Sequence, residues 1–231
     1  MKHVALWVKR ILIALLGLLL LYQFWLFGWV LWWGHVNPDT TRFMEIRLTE
    51  LQAKEPKAQL KKKWINYEKI SPHLKRAIIA SEDAKFVDHE GFDWDGIQKA
   101  IEKNQQKGKI VAGGSTISQQ LAKNLFLTPS KTPWRKAEEA VVTLMLETLW
   151  SKQRILEVYL NVIEWGNGVF GAEAAARHYY GVAASQLTAE QAAKLAGMVP
   201  NPRFYDRNRN APGLARKAGV IMARMPSAEL P

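Results

Sequence analysis

The hydrophobic and polar positions of this chain divide it into one long apolar run and a series of shorter amphipathic segments. From Ile11 to Gly34 no charged residue occurs, and Gln23 is the only strongly polar one. Such a run is long enough to cross a bilayer as a helix. Its second half contains four tryptophans, which resemble the aromatic belt at a membrane interface. The pattern therefore predicts a transmembrane helix at 11–34.

A cleavable signal peptide is the alternative for this run. Its apolar core would span about 7–15 residues and end at a small-residue cleavage site, whereas this run is longer and ends in tryptophans. Lys2, Lys9 and Arg10 precede the run without an acidic residue nearby. Because positive charge favours the cytoplasmic side, residues 1–10 are predicted to be a cytoplasmic tail. Everything from about residue 35 would then lie outside the inner membrane, on the periplasmic side of a bacterium.

The remaining pattern predicts a polar connector at 35–70 and a mainly α domain at 71–231. Apolar residues recur there at helical spacing, between capping residues and Gly or Pro breaks. No run of alternating strands occurs, which leaves room for one short β element. Helices are predicted at about 72–82, 94–105, 116–126, 134–150, 152–165, 172–180, 189–199 and 213–225.

Charge and composition limit the classes of partner that the chain is expected to bind. The net charge is +11 and there is no cysteine, so disulfides and thiolate metal sites are excluded. A basic domain beside a bilayer suggests an anionic partner, such as lipid headgroups, a pyrophosphate or nucleic acid. Nucleic acid is disfavoured by the topology and by the lack of a nucleic-acid-binding motif. The basic cluster Lys61–Lys63 is either a headgroup contact or a solvated charge run.

Glu82 is the first residue whose position suggests chemistry. It continues the row of Leu74 and Ile78 on the helix that Ser71 caps. A carboxylate on an apolar row is directed at an interior or a cleft, where desolvation raises its pKa towards the range of a general acid or base. The alternative is a helix-end glutamate that reaches water.

A second carboxylate, Glu139, follows Arg135 and Lys136 at helical spacing. A surface ladder of ion pairs is the ordinary interpretation. Cations in the first turn of a helix oppose its dipole, however, and a bound anion would offset that cost.

Five stretches resemble, in order, the five signatures of the peptidoglycan glycosyltransferases, family 51 of the glycosyltransferases. The first two are Glu82-Asp83-x-x-Phe86-x-x-His89-x-Gly91-x-Asp93 and Gly113-Gly114-Ser115-Thr116-Ile117-Ser118-Gln119-Gln120-Leu121-x-Lys123-Asn124. The others are Arg135-Lys136-x-x-Glu139, Ile155-Leu156-Glu157-x-Tyr159-Leu160-Asn161, and Gly168-x-x-Gly171-x-x-x-Ala175-Ala176 with Tyr179-Tyr180-Gly181. Five ordered motifs are far more specific than any single one.

The resemblance implies a lysozyme-like, two-lobed helical glycosyltransferase domain behind a single transmembrane helix. The implied substrate is lipid II, polymerised into β-1,4 glycan strands with inversion and release of undecaprenyl diphosphate. The sequence contains no Ser-x-x-Lys, Ser-x-Asn or Lys-Thr-Gly. It therefore resembles the monofunctional members of the family, without transpeptidase activity.

The resemblance also implies roles for residues. Glu82 matches the general base, and Glu139 matches a second essential carboxylate that orients cations or helps to hold a divalent ion. Lys123, Arg135 and Lys136 are the cations expected at the pyrophosphate, with Lys152 behind them. The full set of expected substrate-binding residues is Asp83, Phe86, Ser115, Thr116, Gln120, Lys123, Asn124, Arg135, Lys136 and Lys152.

Several of these assignments keep an alternative. Ser115, Thr116, Gln120 and Asn124 either orient sugar and phosphate groups or serve as a helix cap and polar face. Asp83 either binds substrate or holds the loop of Glu82, and His89 is expected to stabilise a turn rather than to catalyse. The segment Lys103–Ala112 is a candidate lid.

No cofactor is required on sequence grounds and no metal-ligating residue is assigned; a divalent cation, Mg²⁺ or Mn²⁺, has a place only at the pyrophosphate. The expected partners are lipid II, the growing glycan strand and the inner membrane, with cell-wall synthesis or division proteins as further candidates. Two rival functions remain: a lysozyme-like muramidase or lytic transglycosylase, and a non-catalytic scaffold tethered to the membrane.

Overall fold

The computed structural model describes residues 2–109 and 113–231, and the chain divides between Pro38 and Asp39 into two compact units. The N-terminal unit contains helix α1, Lys2–His35. Among the described residues, this is the one helix long and apolar enough to cross a membrane, with a mean hydropathy of 2.3 over its most apolar part. The prediction of a long apolar N-terminal helix is therefore confirmed, and the helix begins earlier than the apolar run.

The second unit, Asp39–Pro231, is mainly helical, as predicted. Its described residues also contain short 3₁₀ turns at Tyr67–Lys69 and Ala184–Gln186, between regular elements, and at Met225–Ser227, after the last helix. In chain order the regular elements are α2 Arg42–Gln52, β1 Lys61–Lys62, α3 Pro72–Glu82, α4 Trp94–Lys107, α5 Ile117–Phe126, α6 Pro133–Leu149, α7 Lys152–Val162, β2 Glu164–Gly166, β3 Val169–Phe170, α8 Ala172–Tyr180, α9 Ala189–Met198, α10 Pro202–Arg207 and α11 Pro212–Arg224.

Two groups of packed helices supply the core. Helix α5 packs against α6 and α7, and α9 packs against α3 and α11. Ile117, Leu121 and Leu125 form a row on one face of α5 and are at most 1% exposed. Each such side chain contributes about 1.5–3 kcal/mol when fully buried. Helix α3 ends at the site described below and helix α5 begins there, so the packing of these two helices fixes the position of the site.

Side-chain caps define where the helices begin. Ser71, Thr132 and Ser151 accept hydrogen bonds from the first-turn amides of α3, α6 and α7. Full capping boxes form between Thr116 and Gln119 and between Thr188 and Gln191. Each cap satisfies an amide that the helix itself leaves unpaired and is worth about 1 kcal/mol.

The main difference from the predicted elements follows α7. This helix ends at Val162 instead of continuing to 165, and β2 and β3 form an antiparallel hairpin on which β1 pairs in parallel. The apolar positions of this stretch fit a buried strand as well as a helix. Gly168 and Gly171, with φ of +72° and +85°, produce turns that a helix does not contain.

Three further segments differ from expectation. Helices α2 and α10 were not predicted, and α2 lies within the segment 35–70 that was expected to be a connector. Residues 103–107 of the proposed lid belong to helix α4, and Ile110–Ala112 lie outside the described residues.

Gly171 offers a test of this hairpin. A Cβ built there would lie 2.8 Å from the Asn161 carbonyl oxygen, whereas a Cβ at Gly181, also at positive φ, would meet nothing within 4 Å. We expect Gly171→Ala to lower the free energy of unfolding by at least about 2 kcal/mol and Gly181→Ala by about 1 kcal/mol. Urea denaturation followed by tryptophan fluorescence measures both, and equal losses would contradict the steric part of the argument.

Candidate active site

Glu82 is the last residue of α3, and its side chain is half-buried. Gln120 Nε2 donates to its Oε2 at 2.9 Å, and Ser81 Oγ donates to its Oε1 at 3.2 Å. Burial raises the pKa of this carboxyl, and the hydrogen bonds from Gln120 and Ser81 lower it by less. The carboxyl lines two pockets rather than facing open water. A half-buried carboxylate with a raised pKa is suited to accept a proton.

Tyr159 fixes the orientation of Gln120. Its hydroxyl donates to Gln120 Oε1 at 2.9 Å, so the amide must present its NH₂ group to Glu82. Tyr159 is fully buried, and burial raises its pKa well above the ordinary value, which keeps the hydroxyl proton in place. Tyr159 was not among the expected site residues. A hydroxyl within an otherwise apolar buried row was the signal available in the sequence.

Asp83 joins the end of α3 to the beginning of α5. Its Oδ2 accepts from the backbone amide of Ile117 at 3.0 Å, and its Oδ1 lies 2.9 Å from His89 Nε2. A carboxylate at a helix N-terminus is favoured by the helix dipole. Asp83 was expected to bind substrate. Both oxygens are used by the protein and the side chain is 2% exposed, so its position here is that of a residue that holds the site together.

His89 has a structural position as well. Its Nδ1 accepts from the Gly91 amide at 3.1 Å, which leaves Nε2 as the donor to Asp83. Both ring nitrogens are therefore occupied within the turn, in line with the role expected for this residue.

The turn is attached to α5 through Thr116. Its hydroxyl donates to the Gly91 carbonyl at 2.7 Å and also accepts from the Gln119 amide at 3.2 Å. A Cβ at Gly91 would lie 2.7 Å from Thr143 Cγ2, and its φ is +89°. Thr116 was assigned to substrate with capping as the alternative, and the structure uses its hydroxyl for the cap and the turn.

Phe86 and Lys152, two more residues expected to bind substrate, instead support the turn of His89 and Gly91. Phe86 is fully buried and therefore has no surface to offer a ligand. The Lys152 ammonium lies 4.7 Å from the centre of its ring. Lys152 also donates to Glu147 Oε1 at 2.8 Å and to the His89 carbonyl. Its cation is thus paired within the protein.

Glu139 organises a cluster of cations. It is 3% exposed, with Arg135 bound to one carboxylate oxygen at 2.5 Å and Lys136 bound to the other. Lys123 interacts electrostatically with this cluster and with Glu82. Desolvation lowers the pKa of Lys123, and the attraction of Glu139 offsets part of that shift. The residues of the second and third signatures are therefore brought together, with more positive than negative charge.

Three pockets surround Glu82 and Gln120. Glu82 lines one of about 310 Å³ and one of about 350 Å³. The first also contains three cations of α11, Arg216, Lys217 and Arg224. The second contains Gly113, Gly114 and Ser115. The third, about 220 Å³, contains Gln120, Lys123, Asn124 and Arg203. The α11 cations and Arg203 were not predicted. Basic residues on the polar face of the last amphipathic segment were the only sequence signal for the α11 cations.

The charged groups do not form a metal centre in the part of the chain that is described. Residues 2–109 and 113–231 contain no group of three or more His, Asp or Glu side chains placed to hold a metal ion. Both oxygens of Glu139 are engaged by Arg135 and Lys136. Glu139 therefore does not fit the role of a metal ligand here, and its position fits the orientation of cations.

Comparisons with known proteins show which family the sequence matches. The sequence matches the profile of a protein family described as Transglycosylase over residues 49–226. It is 72% identical to a biosynthetic peptidoglycan transglycosylase of Dechloromonas aromatica, with 100% of both chains covered. It is also 64% identical to a protein of that name from Chromobacterium violaceum, over 96% of this chain and 97% of the relative. A third, from Nitrosospira multiformis, is 62% identical over 97% of this chain and 98% of its own.

Proposed function

The chain belongs to the transglycosylase family and is a peptidoglycan glycosyltransferase of cell-wall synthesis, and we propose that Glu82 is the general base of its reaction. One observation carries this proposal. A half-buried carboxyl whose pKa is raised by burial lies where two pockets meet, beside cations from three helices.

In the proposed reaction Glu82 removes the proton of the acceptor sugar's 4-hydroxyl as that oxygen attacks the anomeric carbon of the donor. The bond from this carbon to the lipid diphosphate breaks, and undecaprenyl diphosphate leaves with the electron pair. Direct displacement from an α-linked donor inverts the anomeric carbon and gives a β-1,4 linkage. A positioned base of this kind contributes about 10²–10⁴-fold in rate.

The leaving diphosphate accumulates negative charge, which fixed cations stabilise most effectively where water is excluded. We assign this role to Lys123, with Arg135 and Lys136 held by the buried Glu139. Glu139 then acts on the cations rather than on the substrate. A divalent cation, where one takes part, would be held by the substrate's own phosphates.

Both substrates carry a lipid diphosphate, and Glu82 interacts electrostatically with cations of two helices, Lys123 of α5 and Lys217 of α11. We assign the acceptor's diphosphate to the pocket of Lys217, Arg216 and Arg224 on α11. The positive charge of Lys217 also lowers the pKa of Glu82. Ser115 and Asn124 line the neighbouring pockets and are candidates for binding sugar or phosphate oxygens.

We place the enzyme in the bacterial inner membrane, with α1 as a single span. The cations Lys2, Lys9 and Arg10 favour a cytoplasmic N-terminus and a periplasmic domain. This position keeps the site beside the bilayer that contains its lipid-linked substrate. Proteins of cell-wall synthesis or division are the candidate partners there.

The orientation is tested by protease added to spheroplasts that express the chain with an N-terminal tag. We expect the domain after residue 38 to be degraded while the tag is protected, because only the domain is outside. Lysed cells are the control, in which both are degraded. Loss of the tag in intact spheroplasts would reverse the topology.

The catalytic assignment is tested by polymerisation of labelled lipid II. We expect Glu82→Gln to lose at least about 100-fold in rate, because an amide cannot accept the proton. Glu139→Gln should also lose activity, since Arg135 and Lys136 lose their shared charged partner. Glu90→Gln, an exposed glutamate in the same turn, is the matched control and should keep its rate.

The same preparation, given preformed glycan, separates the rival functions. Shortened glycan with untouched lipid II would support a lytic enzyme. Full function of Glu82→Gln in cells would support a scaffold instead of an enzyme.

The pKa of Glu82 predicts a pH dependence. The base works when ionised, so kcat/KM should fall as the pH decreases through a pKa above the ordinary glutamate value. Gln120→Met and Lys217→Met each remove a group that lowers this pKa, so the acidic limb should move to higher pH. The pH–rate profile measures the shift, and Glu90→Gln should leave the limb in place. An unmoved limb in both variants would exclude Glu82 as the titrating group.

A further inference from the structure

Helix α2 contributes to the pocket of Lys123, although it precedes all five signatures in the sequence. Phe43, in its first turn, lines this pocket with Lys123 and Asn124. Arg47 lies one turn later on the same face, because residues four apart in a helix are stacked. The mechanism proposed above uses neither residue.

Arg47 fastens α2 to the β2–β3 hairpin. Its side chain is 6% exposed; Nε donates to Glu164 Oε1 at 2.9 Å and Nη2 donates to Asn167 Oδ1 at 2.8 Å. Its remaining terminal nitrogen binds Glu50. A buried guanidinium is stable only where such acceptors satisfy it. Glu164 itself lines the Lys123 pocket, so the ion pair lies directly behind the pocket wall.

The same hairpin also contacts α10, another helix of the pocket lining. The Asn167 amide donates to Asp206 Oδ2 at 3.0 Å, and Tyr179 donates to Asp206 Oδ1 at 2.9 Å. Asp206 lies on α10, whose Pro202 and Arg203 also line the pocket. Both α2 and α10 are therefore positioned by contacts with one turn.

The lining of this pocket includes cationic, polar and apolar side chains. Lys123 and Arg203 are cationic, and the carboxylate of Glu164 is paired with Arg47. Gln120, Asn124 and Asn201 are polar, and the apolar part consists of Phe43, Ile163, Val199, Pro200 and Pro202. Cations alone would suit inorganic phosphate or sugar phosphates. An apolar wall beside them fits an anionic group that is attached directly to a hydrocarbon, which is the chemistry of a prenyl diphosphate.

We propose that Phe43 contacts the isoprene unit next to the leaving diphosphate, and that Arg47 is the positioning residue that holds Phe43 there. This inference rests on the proposed function, because it assumes that the diphosphate leaves through the Lys123 pocket. It assigns to the segment after the membrane helix a part in substrate binding.

The test compares two probes with the full-length protein in detergent, farnesyl diphosphate and inorganic pyrophosphate, by isothermal titration calorimetry. Removal of one aromatic contact with hydrocarbon should weaken binding by about 5- to 30-fold. We expect Phe43→Ala to show this loss for farnesyl diphosphate and no change for pyrophosphate. Phe43→Leu should restore most of the affinity. Phe204→Ala removes an exposed phenylalanine of α10 outside the pocket and should change neither affinity.

Arg47→Lys tests the positioning role. It keeps the charge but loses the fork that binds Glu164 and Asn167 together. We expect Arg47→Lys to weaken the binding of farnesyl diphosphate but not that of pyrophosphate. Combining it with Phe43→Ala should weaken the binding of farnesyl diphosphate no further than Phe43→Ala does by itself. A purely structural role would lower the melting temperature and leave the ratio of the two affinities unchanged, which would overturn this assignment.

Other outcomes overturn the inference directly. One is that Phe43→Ala loses affinity equally for both probes, and another is that it changes neither affinity. A third is that the unmutated protein does not bind farnesyl diphosphate. Folding of each variant is checked by circular dichroism, with Phe43→Leu as the conservative replacement. Because the measurement needs no turnover, its failure is distinct from that of the proposed function, which is judged by the loss of polymerisation in Glu82→Gln.

Discussion

The carboxylate of Asp83 makes the contacts on which the site depends. It accepts from the first amide of α5 and from His89, and so ties the end of α3 to the start of α5. Because Glu82 and Gln120 lie on these two helices, their 2.9 Å hydrogen bond follows from that junction. Thr116 and Lys152 secure the same turn from other sides. Much of the first signature is thus a support for one carboxyl.

The site contains more cationic than anionic side chains. Burying Glu139 is tolerable only because Arg135 and Lys136 neutralise it. Lys123 remains beside them with a pKa lowered by desolvation, which marks a cation that a diphosphate would stabilise. Three further cations, Arg216, Lys217 and Arg224 of α11, line a pocket together with Glu82. An anionic substrate completes an electrostatic balance that the protein alone leaves positive.

The sequence predicts the helices whose apolar rows and caps are regular, such as α3 and α5, and the cleft-facing row that ends at Glu82. It does not predict α2, because the buried face of that helix contains Arg47, whose partner Glu164 is more than a hundred residues away. The hairpin after α7 was missed because buried strands and buried helices share an apolar composition. Tyr159 and Lys217 reach the site through tertiary packing, which local spacing does not encode. Phe86 and Thr116 matched a signature, yet the structure uses them for support.

The hydrogen bond from Gln120 has a consequence for the setting in which the enzyme works. The strongest interactions that moderate the pKa of Glu82 come from neutral side chains, Gln120 and Ser81, rather than from an ion pair. Dissolved salt screens charges over about 8–10 Å but barely alters short contacts between neutral dipoles and a carboxylate. The pKa of Glu82 should therefore depend little on ionic strength. This matters beside a charged lipid surface, where the local concentration of ions differs from that of the bulk solution.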